Sequence, residues 1–283
     1  MKKTILVGAG GFVGKTLLGR QNLVDHEYLV LDTRREEEIS GHLFQQTQAV
    51  IWCASRTNPL LASHSPTLVQ LELSEWENFI RKIKEFRYEG KVIFLSSGGC
   101  VYSDGDLPFR EDDKSEGIND YGRMKIRMEK QLAASGLDYR ILRISNLYGP
   151  GQVAGKGQGV IAEWINQIAT QSSIHVIGSK ANVRDFLYIH DLASAIECTI
   201  LKKSASGIYN IGSGKRVHLE EIIKILRGYS RSEFQVIESP ARTFDRTGYS
   251  LNIEKFTSTF SWAPSIGIDE GLRRMFSLGA SNV

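Results

Sequence analysis

Short apolar runs alternate with amphipathic stretches through the first half of the chain. The runs with the length and composition of buried strands lie at 4–8, 28–32, 49–55, 91–97 and 138–146. Helices are expected between them at about 11–21, 74–86 and 121–135, the last with Met124, Met128 and Leu132 at helical spacing. Strands that alternate with helices in this way predict an α/β fold, a doubly wound parallel sheet with right-handed crossovers.

The pattern changes after residue 148. Residues 149–159 form a glycine-rich stretch that is too irregular for a helix or a strand. The segment from residue 184 is expected to begin extended and to become helical near Asp191, the predicted N-cap. We therefore divide the chain into a larger domain, residues 1–148, and a smaller mixed α/β lobe, residues 149–283, parts of which could return to the first sheet.

Composition argues against several classes of function. The 283 residues carry a net charge of +3, and no basic run is longer than a pair such as Arg34-Arg35, which argues against nucleic-acid binding. Three scattered cysteines and six dispersed histidines predict neither a disulfide framework nor a metal site. No apolar run reaches the roughly 18–20 residues of a membrane span, and the apolar start of the chain breaks at glycines. We expect a cytoplasmic protein without a membrane span.

The loop after the first strand has the spacing of a dinucleotide site. Gly8, Gly11 and Gly14 form a G-x-x-G-x-x-G motif between the first strand and the first helix. Gly8 would permit a tight turn, Gly11 would let the backbone approach a pyrophosphate, and Gly14 would let the helix pack closely on the strand. Free amides and the positive end of the helix dipole would then hold the phosphates.

A carboxylate completes the predicted cofactor site. Asp32 ends the second strand, where it can accept hydrogen bonds from the adenosine ribose. It would repel a 2′-phosphate and therefore favours NAD, although Arg34 and Arg35 keep NADP open. The other residues assigned to the cofactor are Phe12, Val13 and Ala54. Residues 1–148 are thus predicted to be an NAD-binding Rossmann domain, and residues 149–283 a substrate-binding lobe.

A tyrosine and a lysine are the candidates for proton transfer. Tyr121 and Lys125 stand four residues apart and therefore on one face of a predicted helix. A nearby ammonium stabilises phenolate and lowers the pKa of the tyrosine. Tyr121 could then exchange a proton with a sugar or alcohol oxygen while a nicotinamide exchanges a hydride. The Y-x-x-x-K pattern is common by itself, and its position after a nucleotide-binding half gives it weight.

These residues together resemble the extended short-chain dehydrogenase/reductase family, in its NAD-dependent nucleotide-sugar epimerase/dehydratase branch. The family's glycine loop is similar to GAGGFVG, its strand-end segment to SSGGCVY and its active-site motif to YGRMK. Later segments that resemble the family are LRISNLYGPGQ, VRDFLYIHDLASAI, YNIGSG and FSWAPSIGIDEGL. The resemblance covers nearly the whole chain.

The resemblance implies roles for individual residues. Tyr121 would be the catalytic base and acid, and Lys125 would bind the nicotinamide ribose and tune the tyrosine. Asn146 would contact the substrate, and Arg184 and Arg242 would hold its diphosphate, which suits the bidentate geometry of guanidinium. The competing interpretations are an ion pair between adjacent Arg184 and Asp185, and a surface position for Arg242. The family also commonly forms homodimers, so a homodimer is expected.

The chain departs most from the family pattern in the segment after the fourth predicted strand. The hydroxyl that the family places three residues before Val101 falls at Gly98. Ser97 is the expected substitute and Cys100 the second, because a thiol is a weaker hydrogen-bond donor than a hydroxyl. A 4,6-dehydratase is disfavoured, because Gly99 and Cys100 stand where such relatives have an acidic pair.

The leading expectation is a nucleotide-sugar 4-epimerase, most simply for a UDP-sugar, that uses bound NAD for transient oxidation at C4 in surface-polysaccharide or sugar-nucleotide metabolism. The alternative is an NAD(P)H-dependent reductase of a nucleotide 4-keto-sugar, which needs the same Tyr121 and Lys125. A third interpretation, motivated by Gly98 and Cys100, is a non-catalytic nucleotide-binding regulator.

Overall fold

The alternating apolar runs form the strands of a parallel sheet. The computed structural model describes residues 2–21, 26–35, 38–242 and 246–279. Its strands are β1 (Lys2–Val7), β2 (His26–Leu31), β3 (Ala49–Trp52), β4 (Lys91–Ser97), β5 (Tyr139–Ile144), β6 (Asn146–Tyr148), β7 (Ile174–Ile177), β8 (Val183–Arg184), β9 (Phe186–Tyr188), β10 (Gly207–Ile211), β11 (Val217–His218) and β12 (Val236–Ser239).

Helices connect most of these strands. They are α1 (Phe12–Arg20), α2 (Gly41–Gln45), α3 (Pro59–His64), α4 (Pro66–Glu85), α5 (Gly98–Val101), α6 (Asp120–Ala133), α7 (Val160–Ala169), α8 (Ile189–Leu201), α9 (Leu219–Tyr229), α10 (Glu254–Phe260) and α11 (Ile268–Gly279). Among the described residues, no helix is long and apolar enough to cross a bilayer.

Six strands form the central sheet, in the order β10-β5-β4-β3-β1-β2, and every neighbouring pair is parallel. The predicted α/β fold with a doubly wound parallel sheet is therefore confirmed. The chain leaves β1 toward β2 on one side and then returns to β3 on the other. In an open α/β sheet, such a reversal creates a crevice at the carboxyl ends of the strands.

Both faces of the sheet are covered by apolar helix faces. On one face, α1, α8 and α10 contribute residues such as Leu17, Leu192 and Phe256 to a buried cluster. On the other face, α4 and α6 contribute Trp76 and Met128. Burial on both faces explains why the central strands are nearly continuous apolar runs rather than alternating ones.

The second half of the chain builds on the first. β10 pairs with β5 in parallel register and forms one edge of the central sheet. The remaining strands form three small sheets, β11 with β8, β12 with β7 and β6 with β9. A third apolar cluster lies beneath them, with Trp164, Tyr188 and Leu226 among its members. The strand that completes the large sheet is thus supplied by the later residues.

Two predicted helix starts were wrong. α4 begins at Pro66, eight residues before the expected start, because Pro at the first helical position is pre-organised for a helix. α8 begins at Ile189 with Tyr188 as its N-cap, so that Asp191 lies inside the first turn. The Asp191 carboxylate instead accepts hydrogen bonds from the Ser265 hydroxyl at 2.7 Å and the Ile266 amide at 2.9 Å.

Candidate active site

One large cleft lies at the carboxyl ends of the central strands. Its volume is about 1170 Å³, above the roughly 300–1,000 Å³ of pockets that hold one small ligand. The predicted site residues that line it are Gly8, Gly11, Phe12, Val13, Asp32, Ala54, Ser97, Cys100, Tyr121, Lys125, Asn146, Arg184 and Arg242. Parts of the 149–159 loop form its far wall. The cleft is therefore large enough for a dinucleotide and a second ligand together.

The glycine loop shapes the phosphate end of the cleft. Gly8 has a φ of 96°, and a Cβ there would lie 2.5 Å from the Ala54 backbone nitrogen. A Cβ on Gly14 would lie 2.3 Å from the Gly8 carbonyl oxygen, so Gly14 permits the helix to pack on the loop rather than lining the cleft. Gly11 is the N-cap of α1 without a side-chain capping bond, and first-turn amides lack partners within a helix. These residues fit the pyrophosphate of a dinucleotide.

Asp32 is fixed by its own neighbour. Arg34 donates two hydrogen bonds to its carboxylate, at 2.7 and 2.5 Å, and this contact lowers the pKa of Asp32 to about 2. Asp32 is therefore an acceptor at any physiological pH. Arg34 is largely exposed, with a 67% exposed side chain, so it has room to turn toward a 2′-phosphate. The Asp32 carboxylate can accept a hydrogen bond from a ribose hydroxyl, and the Asp32 and Arg34 side chains together are compatible with either NAD or NADP.

Tyr121 and Lys125 lie together on the cleft wall. Asn119 caps α6 by accepting from the Gly122 amide at 2.8 Å, which fixes the helix start beside Tyr121. The Lys125 Nζ lies 5.3 Å from the centroid of the tyrosine ring. The expected lowering of the Tyr121 pKa is wrong, because burial raises that pKa and the Lys125 ammonium opposes the effect only in part. The phenol is therefore protonated at neutral pH in this structure.

A buried carboxylate on α4 contacts the lysine. Glu72 and Lys125 are each 2% exposed, and their side chains are 3.1 Å apart. Glu72 also accepts from the hydroxyls of Ser55 and Thr57, at 2.8 and 2.9 Å, and from the Arg56 and Thr57 amides. Sequence reasoning missed Glu72. The available signal was its place within the buried stripe of α4, which otherwise carries large apolar residues.

The strand end explains the missing hydroxyl. β4 runs to Ser97, and the next four residues form the short helix α5. A Cβ on Gly98 would lie 2.6 Å from Leu251 Cδ1, and one on Gly99 would lie 2.9 Å from the Tyr249 hydroxyl. The space of side chains at 98 and 99 is thus already filled. Ser97, Cys100 and the unpredicted Tyr249 line the cleft instead.

Arginines line the opposite part of the cleft. Arg184 donates to the carbonyl oxygens of Val183, Thr247 and Arg246, at 2.9, 3.1 and 2.8 Å. The carboxylate of Asp185 accepts from the Ser213 hydroxyl at 2.7 Å and from three backbone amides. The Asp185 carboxylate therefore binds one hydroxyl and three backbone amides. It does not form the ion pair with Arg184 that was the competing interpretation.

Arg246 is a further guanidinium that the sequence analysis missed. Its side chain is only 6% exposed, it lies over the Phe109 ring, and one nitrogen donates to the Tyr102 carbonyl. Its Nε and Nη1 have no hydrogen-bond partner among the described residues, and burial lowers its pKa. The cleft therefore has several guanidinium groups, which suit a ligand with phosphate oxygens.

The chain is similar in sequence to known proteins. The sequence pattern of the NAD dependent epimerase/dehydratase family matches residues 4–212. A dTDP-4-dehydro-6-deoxyglucose reductase of Escherichia coli is 34% identical over 194 residues, which are 65% of this chain and 60% of the relative. A GDP-6-deoxy-D-mannose reductase of Pseudomonas aeruginosa is 28% identical over 100% of this chain and 98% of its own length.

The fold also matches solved structures. The complex of UDP-glucose 4-epimerase from Thermus thermophilus with NAD superposes with a TM-score of 0.89, over 99% of this chain and 100% of that one. At 21% sequence identity this likeness shows the fold alone. Both the sequence pattern and the fold therefore extend across the cleft, from the glycine loop through Tyr121 to Asn146 and Arg184.

Proposed function

Because the chain belongs to the NAD-dependent epimerase/dehydratase family, we propose that it transfers a hydride between NAD(P) and C4 of a nucleotide-diphosphate sugar. The observation that carries this proposal is the placement of Tyr121 and Lys125 on the wall of the same cleft as the glycine loop and Asp32. A proton donor beside a dinucleotide site is what reversible oxidation of an alcohol requires.

Each side chain has a defined task in this reaction. The nicotinamide, when bound, supplies or accepts the hydride. The Tyr121 hydroxyl would give its proton to the sugar 4-oxygen in reduction, and the Tyr121 phenolate would take that proton in oxidation. Lys125 would stabilise the negative charge of the phenolate. Ser97 or, more weakly, Cys100 holds the same oxygen. The backbone amides at the start of α1 hold the cofactor phosphates, and the Asp32 carboxylate accepts hydrogen bonds from the ribose hydroxyls.

The arginines and one amide would hold the substrate. Arg184 and Arg242 line the cleft together with Asn146, and guanidinium matches the oxygens of a diphosphate. Arg246, buried beside them, adds a positive charge that an anionic ligand would offset. These groups support a nucleoside diphosphate as the carrier of the sugar.

We favour reduction of a 4-keto-sugar as the direction of the reaction. The E. coli and P. aeruginosa relatives are both named as reductases of nucleotide-linked deoxysugars. Tyr121 is held protonated by burial, which is the state of a proton donor to a ketone. This order reverses the leading expectation from the sequence, because Glu72 and the burial of Tyr121 were not visible there. A dTDP-linked 4-keto-6-deoxyhexose is the first substrate to test.

A 4-epimerase is the second candidate. Asp32 favours it, because a ribose-binding carboxylate suits NAD that stays bound through oxidation and reduction of the same sugar. A cleft of about 1170 Å³ would also give a keto-sugar room to rotate. UDP-linked hexoses are the substrates to test for this activity.

The two candidates differ in how they use the cofactor. The purified chain is incubated with dTDP-, GDP-, UDP- and CDP-linked 4-keto-sugars and either NADH or NADPH, and loss of the reduced nicotinamide is followed. Stoichiometric oxidation by a 4-keto-sugar supports the reductase. NMR detection of a C4 epimer from a UDP-hexose, with no cofactor added, supports the epimerase. Absence of both reactions across the panel contradicts C4 hydride transfer.

Replacing the tyrosine tests the assignment of the proton donor. Tyr121→Phe removes the hydroxyl and keeps the ring, so turnover should fall at least about 100-fold while cofactor binding is retained. Tyr229→Phe, whose hydroxyl contacts Asp269 on the exposed surface, is the matched control and should be unchanged. Full turnover by Tyr121→Phe would contradict the assignment. A nucleotide-binding regulator would be favoured if the wild-type chain binds nucleotide without turnover and Tyr121→Phe binds it equally well.

A further inference from the structure

Glu72 is a buried charge that the proposed reaction does not yet use. It lies on α4, outside every motif that identified the site, and its carboxylate is 3.1 Å from the Lys125 ammonium. Building on the proposed function, we propose that Glu72 is a positioning residue that holds Lys125 charged and keeps Tyr121 protonated, so that the site is set for proton donation to a ketone.

The surroundings of Glu72 fix a carboxylate and not a carboxylic acid. Two hydroxyls, two backbone amides and the Lys125 ammonium all donate to its oxygens. These five donors occupy the roughly four lone-pair positions of an ionised carboxylate, so neither oxygen is left to carry a proton. Burial by itself would raise the pKa of Glu72, but Lys125, Ser55 and Thr57 outweigh burial and hold that pKa below its usual value.

The charge of Glu72 changes what Lys125 can do for Tyr121. With Glu72 ionised, the lysine is already neutralised, and a tyrosinate would be a second anion beside one cation. Without Glu72, tyrosinate and ammonium would form a neutral pair. Glu72 thus raises the pKa of Tyr121, in addition to the larger effect of burial, while Lys125 lowers it. Charges within about 4–6 Å commonly shift a pKa by roughly 1–3 units.

The other titratable groups near the pair do not replace Glu72. The groups that face Tyr121 and Lys125 are Cys53, Glu72, Cys100 and Glu129. Burial raises the pKa of Cys53 to about 12, so its thiol is neutral. Glu129 is paired with Arg143 at 2.7 Å. Within the described part of the chain, Glu72 is the carboxylate that forms an ion pair with Lys125.

Removal of this charge should move the pH profile of reduction. Reduction needs a protonated Tyr121 and a charged Lys125. In Glu72→Gln the negative charge that favours both protonated forms is gone. Whichever of the two residues releases its proton first therefore does so at a lower pH. The alkaline limb of kcat/KM should therefore shift down by at least about one pH unit. Glu72→Asp keeps the charge at a longer distance and should shift the limb the same way by less. Glu77→Gln, exposed on the same helix, should leave it in place.

Cofactor binding gives a readout that needs no substrate. The nicotinamide ring is positively charged in NAD⁺ and neutral in NADH, and Glu72 offsets the positive charge of Lys125 beside the site. In Glu72→Gln the ratio of the Kd for NAD⁺ to the Kd for NADH should therefore rise at least about threefold by calorimetry. A lack of both 4-keto-sugar reduction and C4 epimerisation by the wild-type chain would refute the proposed function, while this ratio would still test Glu72.

The outcomes separate positioning from a structural role. A downward shift of the limb together with a higher Kd ratio supports the proposal. Circular dichroism checks that Glu72→Gln is folded. If the folded variant has an unchanged alkaline limb and an unchanged ratio of the two Kd values, the proposal is overturned, even if turnover is lower. Should Glu72→Gln not fold, Glu72→Asp decides: a smaller shift of the same sign supports the proposal, and an unmoved limb overturns it.

Discussion

At the scale of the residue, Gly98 is determined by packing rather than by chemistry. Leu251 occupies the volume in which a side chain at position 98 would lie. A hydroxyl could not be restored there without displacing Leu251, which is itself fully buried. In the proposed reaction, we therefore expect the group that holds the reacting oxygen to come from the neighbours of Gly98.

Ser97 and Cys100 can be separated by single substitutions. A hydrogen bond to the reacting oxygen is worth about 1–1.5 kcal/mol, so Ser97→Ala should lower kcat/KM about tenfold. Cys100→Ala should cost less than about threefold, because a thiol is a weak donor. Ser258→Ala, at an exposed position of α10, is the control. Equal kinetics for wild type and Ser97→Ala would show that Tyr121 works without Ser97.

The residues predicted from sequence share one property. The glycine loop, Tyr121 and Lys125 are recognisable because their chemistry depends on short spacing along the chain. Glu72 and Tyr249 reach the same cleft through contacts between distant segments, 53 residues apart for Glu72 and Lys125. Local spacing carries no information about such contacts. The place of Glu72 in the buried stripe of α4 was a signal, but it does not identify Lys125 as the partner.

At the scale of the element, α4 is the helix that connects stability with the site. Its buried face places Trp76 against Trp52 and Phe94, with ring centroids 4.9 and 4.8 Å away, one turn from Glu72. Displacement of α4 would move Glu72 away from Lys125. The packing of this helix therefore stabilises the core and also holds the Glu72–Lys125 ion pair in place.

Removal of the indole should measure that packing. Trp76→Ala leaves a cavity in a fully buried cluster and should lower the free energy of unfolding by about 3–5 kcal/mol, measured by urea denaturation. Leu71→Ala, on the same helix but 47% exposed, should change it by less than about 0.5 kcal/mol. A small loss for Trp76→Ala would show that the helix is held mainly by other contacts.

Periodicity predicted the amphipathic helices better than the short elements. α6 lies within about two residues of its expected bounds, 121–135, because an apolar stripe over three turns is distinctive. The four-residue α5 was not expected, since a run of small residues has no stripe. Its start directly after β4 follows from the glycines, which fit beneath Leu251 and Tyr249.

At the scale of the whole molecule, the division at residue 148 remains a prediction. β10 lies in the sequence of the second half but forms the edge of the central sheet beside β5. Sequence pattern could not show this, because a buried strand looks the same whichever sheet it joins. The homodimer implied by the family resemblance also stays a prediction.

A truncated chain tests the division. The fragment of residues 1–148 lacks β10, so the hydrogen-bonding edge and one face of β5 would be exposed. We expect this fragment to lack a cooperative thermal transition and to aggregate under conditions in which the full chain stays monodisperse. A cooperative transition near that of the full chain would show that the first 148 residues are an independent domain.

The same pairing has a consequence for biosynthesis. β5 leaves the ribosome well before its partner, since residues 145–206 must be translated first. At roughly 5–20 residues per second, this takes about 3–12 s. During that interval the nascent chain carries an unpaired β-strand edge, the kind of surface that chaperones bind. The rate at which this protein accumulates in a cell should therefore depend on translation speed through residues 145–206.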